Sequence, residues 1–288
     1  MTQFNFEAIG TKWQISLYQK LDTAKEVELF SYIKNRIELF DKAYSRFRAD
    51  SLVTKMSRET GDFVLPSDAE PMISLYHDLY IRTNGLVTPL VGNLISDAGY
   101  DAQYSLKQKK ELETPPAWEE ALEYNHPILK IKKPVLLDFG AAGKGYLVDL
   151  VGEVLEVNGV FEYCIDAGGD ILHKGVKPIR VGLENPKNTE QVIGVYTLGN
   201  GSICGSAGTR RAWGKFTHIM NPKTLVSPTE IIAVWVIAKK ALVADALATC
   251  LFFVPASTLV SAYDFEYVLV RKDRSVEKSD NFSGEVFT

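Results

Sequence analysis

Two stretches of this chain pair residue types whose spacing could handle phosphate and metal. Asp138-Phe-Gly-Ala-Ala-Gly-Lys-Gly145 closes an apolar run and opens a helix. Small side chains at a helix N-terminus let backbone N–H groups approach a phosphate, and Lys144 adds a cation. Gly145 rather than Ser or Thr follows the lysine, so this is not a Walker A loop. The third glycine is also misplaced for a dinucleotide fingerprint. A strand-to-helix turn without any ligand would use the same residues. In Ala244-Asp-Ala-Leu-Ala-Thr249, Asp245 and Thr249 stand four apart and share one helix face. A carboxylate and a hydroxyl suit a hard divalent ion whose shell is completed by carbonyls, water and a substrate phosphate. The pair also reads as an acid near a helix N-terminus and a threonine bonded to the preceding turn.

His218, in Phe216-Thr-His-Ile-Met-Asn-Pro222, is one of four histidines and sits where an alternating strand runs into a turn. It could serve as a general base near neutral pH, or it could be a structural imidazole. No second His or Cys stands at metal-ligand spacing, which argues against zinc. Asp166-Ala-Gly-Gly-Asp170 is a strand entering a turn whose glycines permit close approach to a ligand, as an ordinary hairpin would also require. Arg210-Arg211 could meet phosphate or remain solvated. No G-x-S-x-G elbow is present for a serine nucleophile.

These residues need elements to hold them. Phe4, Phe6 and Ala8, then Trp13, Ile15 and Leu17, alternate about Gly10-Thr11 and predict a hairpin. Val27, Phe30, Ile33, Ile37, Phe40 and Tyr44 predict an amphipathic helix from Thr23 to about Tyr44. Ser67-Asp-Ala-Glu70 reads as a capping box for a second helix, with Pro71 in its first turn and Gly85 at its far end. Strands are predicted at Ile128–Ile131, Val135–Asp138, Tyr163–Asp166, Arg180–Leu183, Gly194–Leu198, Phe216–Met220, Ile231–Ile237 and Phe265–Val270. Helices are predicted near 145–157, 240–253 and 256–263. Strand runs with helices inserted between them indicate an α+β architecture of mixed or antiparallel sheets with packed helices. The charged stretch 101–127 with Pro115-Pro116 reads as a surface excursion from one domain spanning 1–288, or from two intimate lobes.

A formal charge of −4 removes the basic footprint expected of a nucleic-acid binder. No apolar run is long enough for a bilayer span, so no membrane insertion is expected. The N-terminus lacks the features of a secretory leader, and the three cysteines are odd in number and unpatterned. Both features predict a cytoplasmic protein.

In order along the chain, these motifs resemble the ApbE-type flavin transferases, which use FAD to attach FMN to a protein threonine. Ala8-Ile-Gly-Thr-Lys-Trp13 resembles the family's opening Met-Gly-Thr-x-Trp turn. Ser45-Arg-Phe-Arg-Ala-Asp-Ser51 resembles its Ser-x-Tyr segment, and Gly85-Leu-Val-Thr-Pro-Leu-Val-Gly-Asn-Leu94 its Phe-Asp-Pro-Thr-Val-Gly-Pro-Leu stretch. Asp138–Gly145 with Tyr146 and Asp149 resembles Asp-Leu-Gly-Gly-x-Ala-Lys-Gly-Tyr-x-x-Asp. Asp166–Asp170 resembles Asn-x-Gly-Gly-Asp, Thr217–Pro222 His-Ile-x-Asp-Pro, and Ala244–Thr249 the Ala-Asp-Ala-Leu-Ala-Thr helix.

The resemblance implies an ApbE-like fold and Mg²⁺-dependent transfer of FMN to an acceptor-protein threonine, with AMP released. It implies Asp245, Thr249 and the Ala141 carbonyl as ligands of Mg²⁺, with Mn²⁺ as the alternative. Ile9, Phe47, Val87, Thr88, Asp138, Lys144 and Met220 would contact FAD, and His218, Asp245 and Lys144 would carry the catalysis. Alternatives are an Mg²⁺-dependent FAD diphosphatase giving FMN and AMP, or a non-catalytic FAD-binding protein. The chain departs from the family pattern in carrying Thr88 for Asp, Leu90 for Thr, Ile9 for Met, Phe47 for Tyr, Asn221 for Asp and Leu225 for Gly.

Overall fold

The computed structural model describes residues 1–209 and 211–287. Its centre is an eight-stranded sheet whose strands lie side by side in chain order: Thr2–Ala8, Thr11–Leu17, Tyr163–Asp166, Asp170–Lys174, Gly201–Ala207, Ile231–Ala238, Glu266–Arg271 and Val276–Lys278. Every pairing is antiparallel, as the α+β expectation requires. Side chains alternate across the sheet. Val234 and Val236 face the helices Thr23–Tyr44, Gly143–Val157 and Ala241–Cys250 within the main core. Ala233, Trp235 and Ile237 face a small three-stranded sheet built on Ile179–Asn185 and Asn188–Leu198. Among the described residues no helix is long and apolar enough to cross a membrane.

The first hairpin has the expected register, with Phe4 opposite Ile15 and Phe6 opposite Trp13. The helix Thr23–Tyr44 is capped by Asp22, whose carboxylate accepts from the Lys25 amide at 2.9 Å. Its buried stripe is Leu29, Ile33, Ile37, Phe40 and Tyr44, whereas the predicted Val27 is 67% exposed. At about 100° per residue, Val27 sits roughly 120° from the Ile33 direction, on the flank of the stripe.

Several local expectations yield to long-range partners. The Ser67–Glu70 capping box does not form. The helix spans Glu70–Arg82 with Ala69 as its N-cap, because the Asp68 carboxylate pairs with Arg36 and its carbonyl accepts from the Tyr146 hydroxyl. Val135–Asp138 is not a ladder strand. The Leu136 amide donates to Asn93 Oδ1 at 3.3 Å and the Asp138 amide to Pro89 O at 2.8 Å, so its partners are a turn and a side chain. Only Phe216–Thr217 of the Phe216–Met220 segment is strand. Beyond it Thr217 Oγ1 turns back to accept from the Ile219 amide. The predicted helix at 256–263 is a single 3₁₀ turn, Ala256–Thr258. Residues 101–117 carry no helix or strand, after which Trp118–Ala121 is helical and Leu122–Asn125 pairs with Ile128–Ile131.

The helices Gly143–Val157 and Ala241–Cys250 approach so closely at Gly145 that a Cβ there would lie 2.2 Å from Ala241 O and 2.7 Å from Asp245 Cβ. Backbone cannot yield as a flexible side chain would, so overpacking applies with full force. Gly145→Ala is expected to cost at least about 1–3 kcal/mol, read as a drop of several degrees in the thermal unfolding midpoint. An unchanged midpoint would show that the two helices are free to separate.

Candidate functional site

A cavity of about 360 Å³ opens where the two helices meet the sheet. The loop Asp138–Ala142 contributes Asp138, Gly140 and Ala141 at the N-terminus of the helix Gly143–Val157, and that helix contributes Lys144. The helix Ala241–Cys250 contributes Asp245 and Thr249. Phe47, Val87, Thr88, His218 and Met220 complete the set of predicted site residues on its walls. Ile9 lines a second cavity on the far side of Arg46, Phe47, Asp138 and Lys144, which border both spaces. The sequence-predicted residues therefore gather about one wall, Ile9 across it from the rest.

Two hydrogen-bonded contacts fix the helices that supply the chemistry. Asp149, buried in the helix Gly143–Val157, accepts from the Ala241 and Leu242 amides at 2.9 Å each. It thereby caps a helix whose own N-cap residue, Lys240, offers no side-chain bond. Four residues earlier on the same helix, the Gly145 amide donates to Asp245 Oδ2 at 2.9 Å. One Asp245 oxygen is thus committed to the backbone. The other, Oδ1, lies 3.8 Å from Lys144 Nζ.

Lys144 is ion-paired with Asp170, at the start of the strand Asp170–Lys174. Burial works against the ammonium charge, but Asp170 and then Asp245 outweigh it and hold the Lys144 pKa above its ordinary range. Burial, followed by the Asp170 carboxylate, raises the Asp245 pKa to about 7, with Lys144 opposing. Among the described groups in and behind the wall, Arg46, Lys144 and Arg211 face Asp138, Asp170 and Asp245, the last titrating near neutrality, so little positive charge is left over. A diphosphate entering this space would bring negative charge without a partner, and a divalent cation is the compact way to offset it.

The residues present fit such a cation. Asp245 and Thr249 put hard oxygens on one face of a helix, with Ala141 on the same cavity wall, and Asp245 Oδ1 lies 3.8 Å from the Lys144 ammonium. Among the described residues no three His, Cys, Asp or Glu side chains converge as a metal cluster. Most of the shell would therefore come from hydroxyl, carbonyl, water and ligand oxygens, the pattern Mg²⁺ tolerates well.

His218 is half-buried beside this group. Its amide donates to Arg211 O at 3.1 Å, while ring Nδ1 is buried with no hydrogen-bond partner among the described residues. Burial, then the Arg211 and Lys144 charges, lower its pKa to about 4, so the imidazole is neutral and able to accept a proton. An anionic ligand near Lys144 and Arg211 would cancel those charges and raise its basicity.

Among the departures from the family pattern, Thr88, Leu90 and Asn221 each have a local structural role. Thr88 Oγ1 accepts from the Leu90 amide at 3.2 Å and caps a 3₁₀ turn, while Leu90 is buried in the core. Asn221 Oδ1 accepts from the Lys223 and Thr224 amides, building the same turn a carboxylate would. Leu225 adopts φ 60° and Ile9 φ 45°, left-handed conformations that a glycine would enter at lower cost.

Sequence reasoning missed Arg46, whose side chain is 3% exposed. Its Nε is ion-paired with Asp138, Nη1 donates to Tyr100 O at 2.7 Å, and Cζ lies 4.2 Å from the Phe47 ring centroid. The available signal was a basic residue immediately after the apolar stripe of the first long helix. Arg211 lies over the Tyr100 ring at 5.9 Å, and Arg210 falls outside the described residues.

Fold and cavity together define a class: an α+β protein with a cavity at a helix N-terminus lined by an ammonium and hard oxygens. The chain belongs to the ApbE family, whose model matches residues 9–266. It is 24% identical over 271 residues to the FAD:protein FMN transferase of Klebsiella pneumoniae, covering 85% of this chain and 76% of that protein. It is 23% identical over 269 residues to the FAD:protein FMN transferase of Escherichia coli K12, with the same coverage. Among solved structures, the flavin transferase ApbE from Vibrio cholerae superposes with a TM-score of 0.81 at 22% identity, covering 98% of this chain and 97% of that one. The ApbE protein from Thermotoga maritima gives a TM-score of 0.81 at 20% identity with the same coverage.

Two outcomes follow from the geometry. Asp149→Ala should cost about 1–2 kcal/mol through the lost cap, with Asp149→Asn losing less, as measured by chemical denaturation; equal stability in all three proteins would contradict the capping role. For His218 the unfolded ring, near pKa 6.5, binds protons more readily than the folded one near 4. Its contribution to stability should therefore grow as pH rises between those values and vanish on acidification. Ring NMR of the ligand-free protein should show neutral His218 down to about pH 5; a midpoint near 6.5 would contradict its burial.

Proposed function

We propose that this chain transfers FMN from FAD to a threonine hydroxyl of an acceptor protein and releases AMP. The observation that carries the reading is the gathering of Lys144, His218, Asp245 and Thr249 about one cavity at a helix N-terminus. The relatives' name, FAD:protein FMN transferase, supports it.

In this reading Asp138, Lys144, Phe47, Val87, Thr88 and Met220 hold FAD, with Ile9 contributing from the adjoining cavity. Asp245, Thr249 and the Ala141 carbonyl would hold Mg²⁺ or Mn²⁺. When bound, that ion supplies positive charge against the diphosphate and the departing AMP. Lys144 adds a fixed charge beside the phosphates, while the Ala142 and Gly143 amides are spent on Phe139 O and the Gly145 amide on Asp245. The acceptor threonine Oγ attacks the FMN phosphorus while His218 takes the hydroxyl proton. The bond from that phosphorus to the bridging oxygen breaks, and AMP carries the bridging oxygen away. Asp170 keeps Lys144 charged and in place throughout.

The test is mass spectrometry of an acceptor protein incubated with this chain, FAD and Mg²⁺, alongside FAD-binding titrations. The acceptor should gain one FMN, and AMP should appear in equal amount. Asp245→Ala should abolish transfer. His218→Ala should bind FAD with near-normal affinity and transfer about 10²- to 10⁴-fold more slowly. Transfer undiminished by a chelator would remove the ion from the scheme, and full activity without His218 would remove the base. AMP formed with no gain of acceptor mass would identify a diphosphatase.

A further inference from the structure

The Arg46 guanidinium carries five N–H donors, and the protein uses only part of them. Nε is spent on Asp138 and Nη1 on Tyr100 O, but Nη2 is buried with no hydrogen-bond partner among the described residues. Such an orphan on a charged, nearly inaccessible side chain is costly and calls for a reason. The fold supplies the setting for one. Arg46 stands in the wall between the two cavities and borders both. Its pairing with Asp138 cancels its net charge, so what remains is a planar, neutralised donor rather than a free cation.

The surroundings select against phosphate as the partner and in favour of a flat ring. Phe47 covers one face of the guanidinium at 4.2 Å, and Tyr100 lies at 5.0 Å. Phe47 also stacks on Tyr104 with ring centroids 5.3 Å apart and 11° between planes. The first cavity, which Arg46 borders, also has the apolar Val87, Val91 and Ile95 on its wall. Asp138, by contrast, already accepts from the Gly140 amide at 2.7 Å with Oδ1 and from Arg46 with Oδ2.

We propose that Arg46 is a substrate-recognition residue whose Nη2 N–H donates to a hydrogen-bond acceptor on the edge of a fused heteroaromatic ring of the nucleotide. Asp138 acts as the positioning residue that aims it. Phe47, half-buried over the guanidinium, turns aside to stack on the ring as it enters, which uncovers the donor. Flavin and adenine both offer such an edge, and the binding test separates them. This inference rests on the reading of FAD as substrate.

Bind FAD, FMN and ADP separately to the unaltered protein and to Arg46→Lys, which keeps a charge for Asp138 but loses the fork. FAD should bind the variant about tenfold or more weakly. One fragment should weaken by a similar factor while the other stays within about twofold, and the affected fragment identifies the ring. Equal weakening of all three ligands, or no weakening, would overturn the proposal. If the variant does not fold, a co-crystal structure of the unaltered protein with FAD decides the matter. A ring nitrogen or carbonyl oxygen within about 3.2 Å of Nη2 supports it; a phosphate oxygen or no ligand atom there overturns it. Failure of the unaltered protein to bind FAD would instead remove the functional reading, and this inference with it.

Discussion

Where the helices Gly143–Val157 and Ala241–Cys250 touch, a missing side chain and two carboxylates lock one element against the other. Gly145 leaves room for Ala241 O, Asp149 caps the second helix through the Ala241 and Leu242 amides, and Asp245 accepts from the Gly145 amide. The first helix faces the cavity with its N-terminus and Lys144, the second with Asp245 and Thr249. Lys144 and the proposed cation ligands Asp245 and Thr249 are consequently held in fixed relation to one another. A displacement of either helix would separate them, and chemistry that depends on placement is sensitive to shifts of that kind.

Charge balance follows from this contact. Asp170 and Asp245 outweigh the effect of burial on Lys144 and favour its ammonium form, and Lys144 in turn opposes the burial that raises the Asp245 pKa. Among the described groups, the cations of the ligand-free site are largely matched by its own carboxylates. That is the physical reason to expect the cation and the dinucleotide to bind together, each supplying the charge the other lacks. His218 shares the economy: its low basicity arises from burial and the cations around it, so a bound anion would adjust it toward its role.

Much of this was legible in the sequence where a local pattern and its tertiary use agree. The helix Thr23–Tyr44 and the first hairpin follow directly from apolar spacing. The strands Asp170–Lys174 and Gly201–Ala207 were not foreseen. Short runs broken by Asp, His, Ser and Gly give no clear alternation, although both lie in the middle of the sheet. Val135–Asp138 read as a strand because it is apolar and extended, but its amides are satisfied by Asn93 and Pro89. The Ser67–Glu70 pattern failed for a related reason, since Asp68 is claimed by Arg36 across 32 residues of chain. Asp245 and Thr249 were recognisable from helical spacing joined to the family resemblance. Arg46 was invisible because its partners, Asp138 and Tyr100, are brought to it only by the fold.

The central claim is that the helix face bearing Asp245 and Thr249 holds a divalent cation jointly with a bound diphosphate. Its most direct test counts Mn²⁺ bound per chain by electron paramagnetic resonance, with and without FAD, in the unaltered protein and in Asp245→Asn. The account predicts one tightly held ion when FAD is present, much weaker binding when it is absent, and loss of the tight site in the variant. Equal Mn²⁺ affinity with and without FAD, or a tight site that survives the substitution, would contradict it.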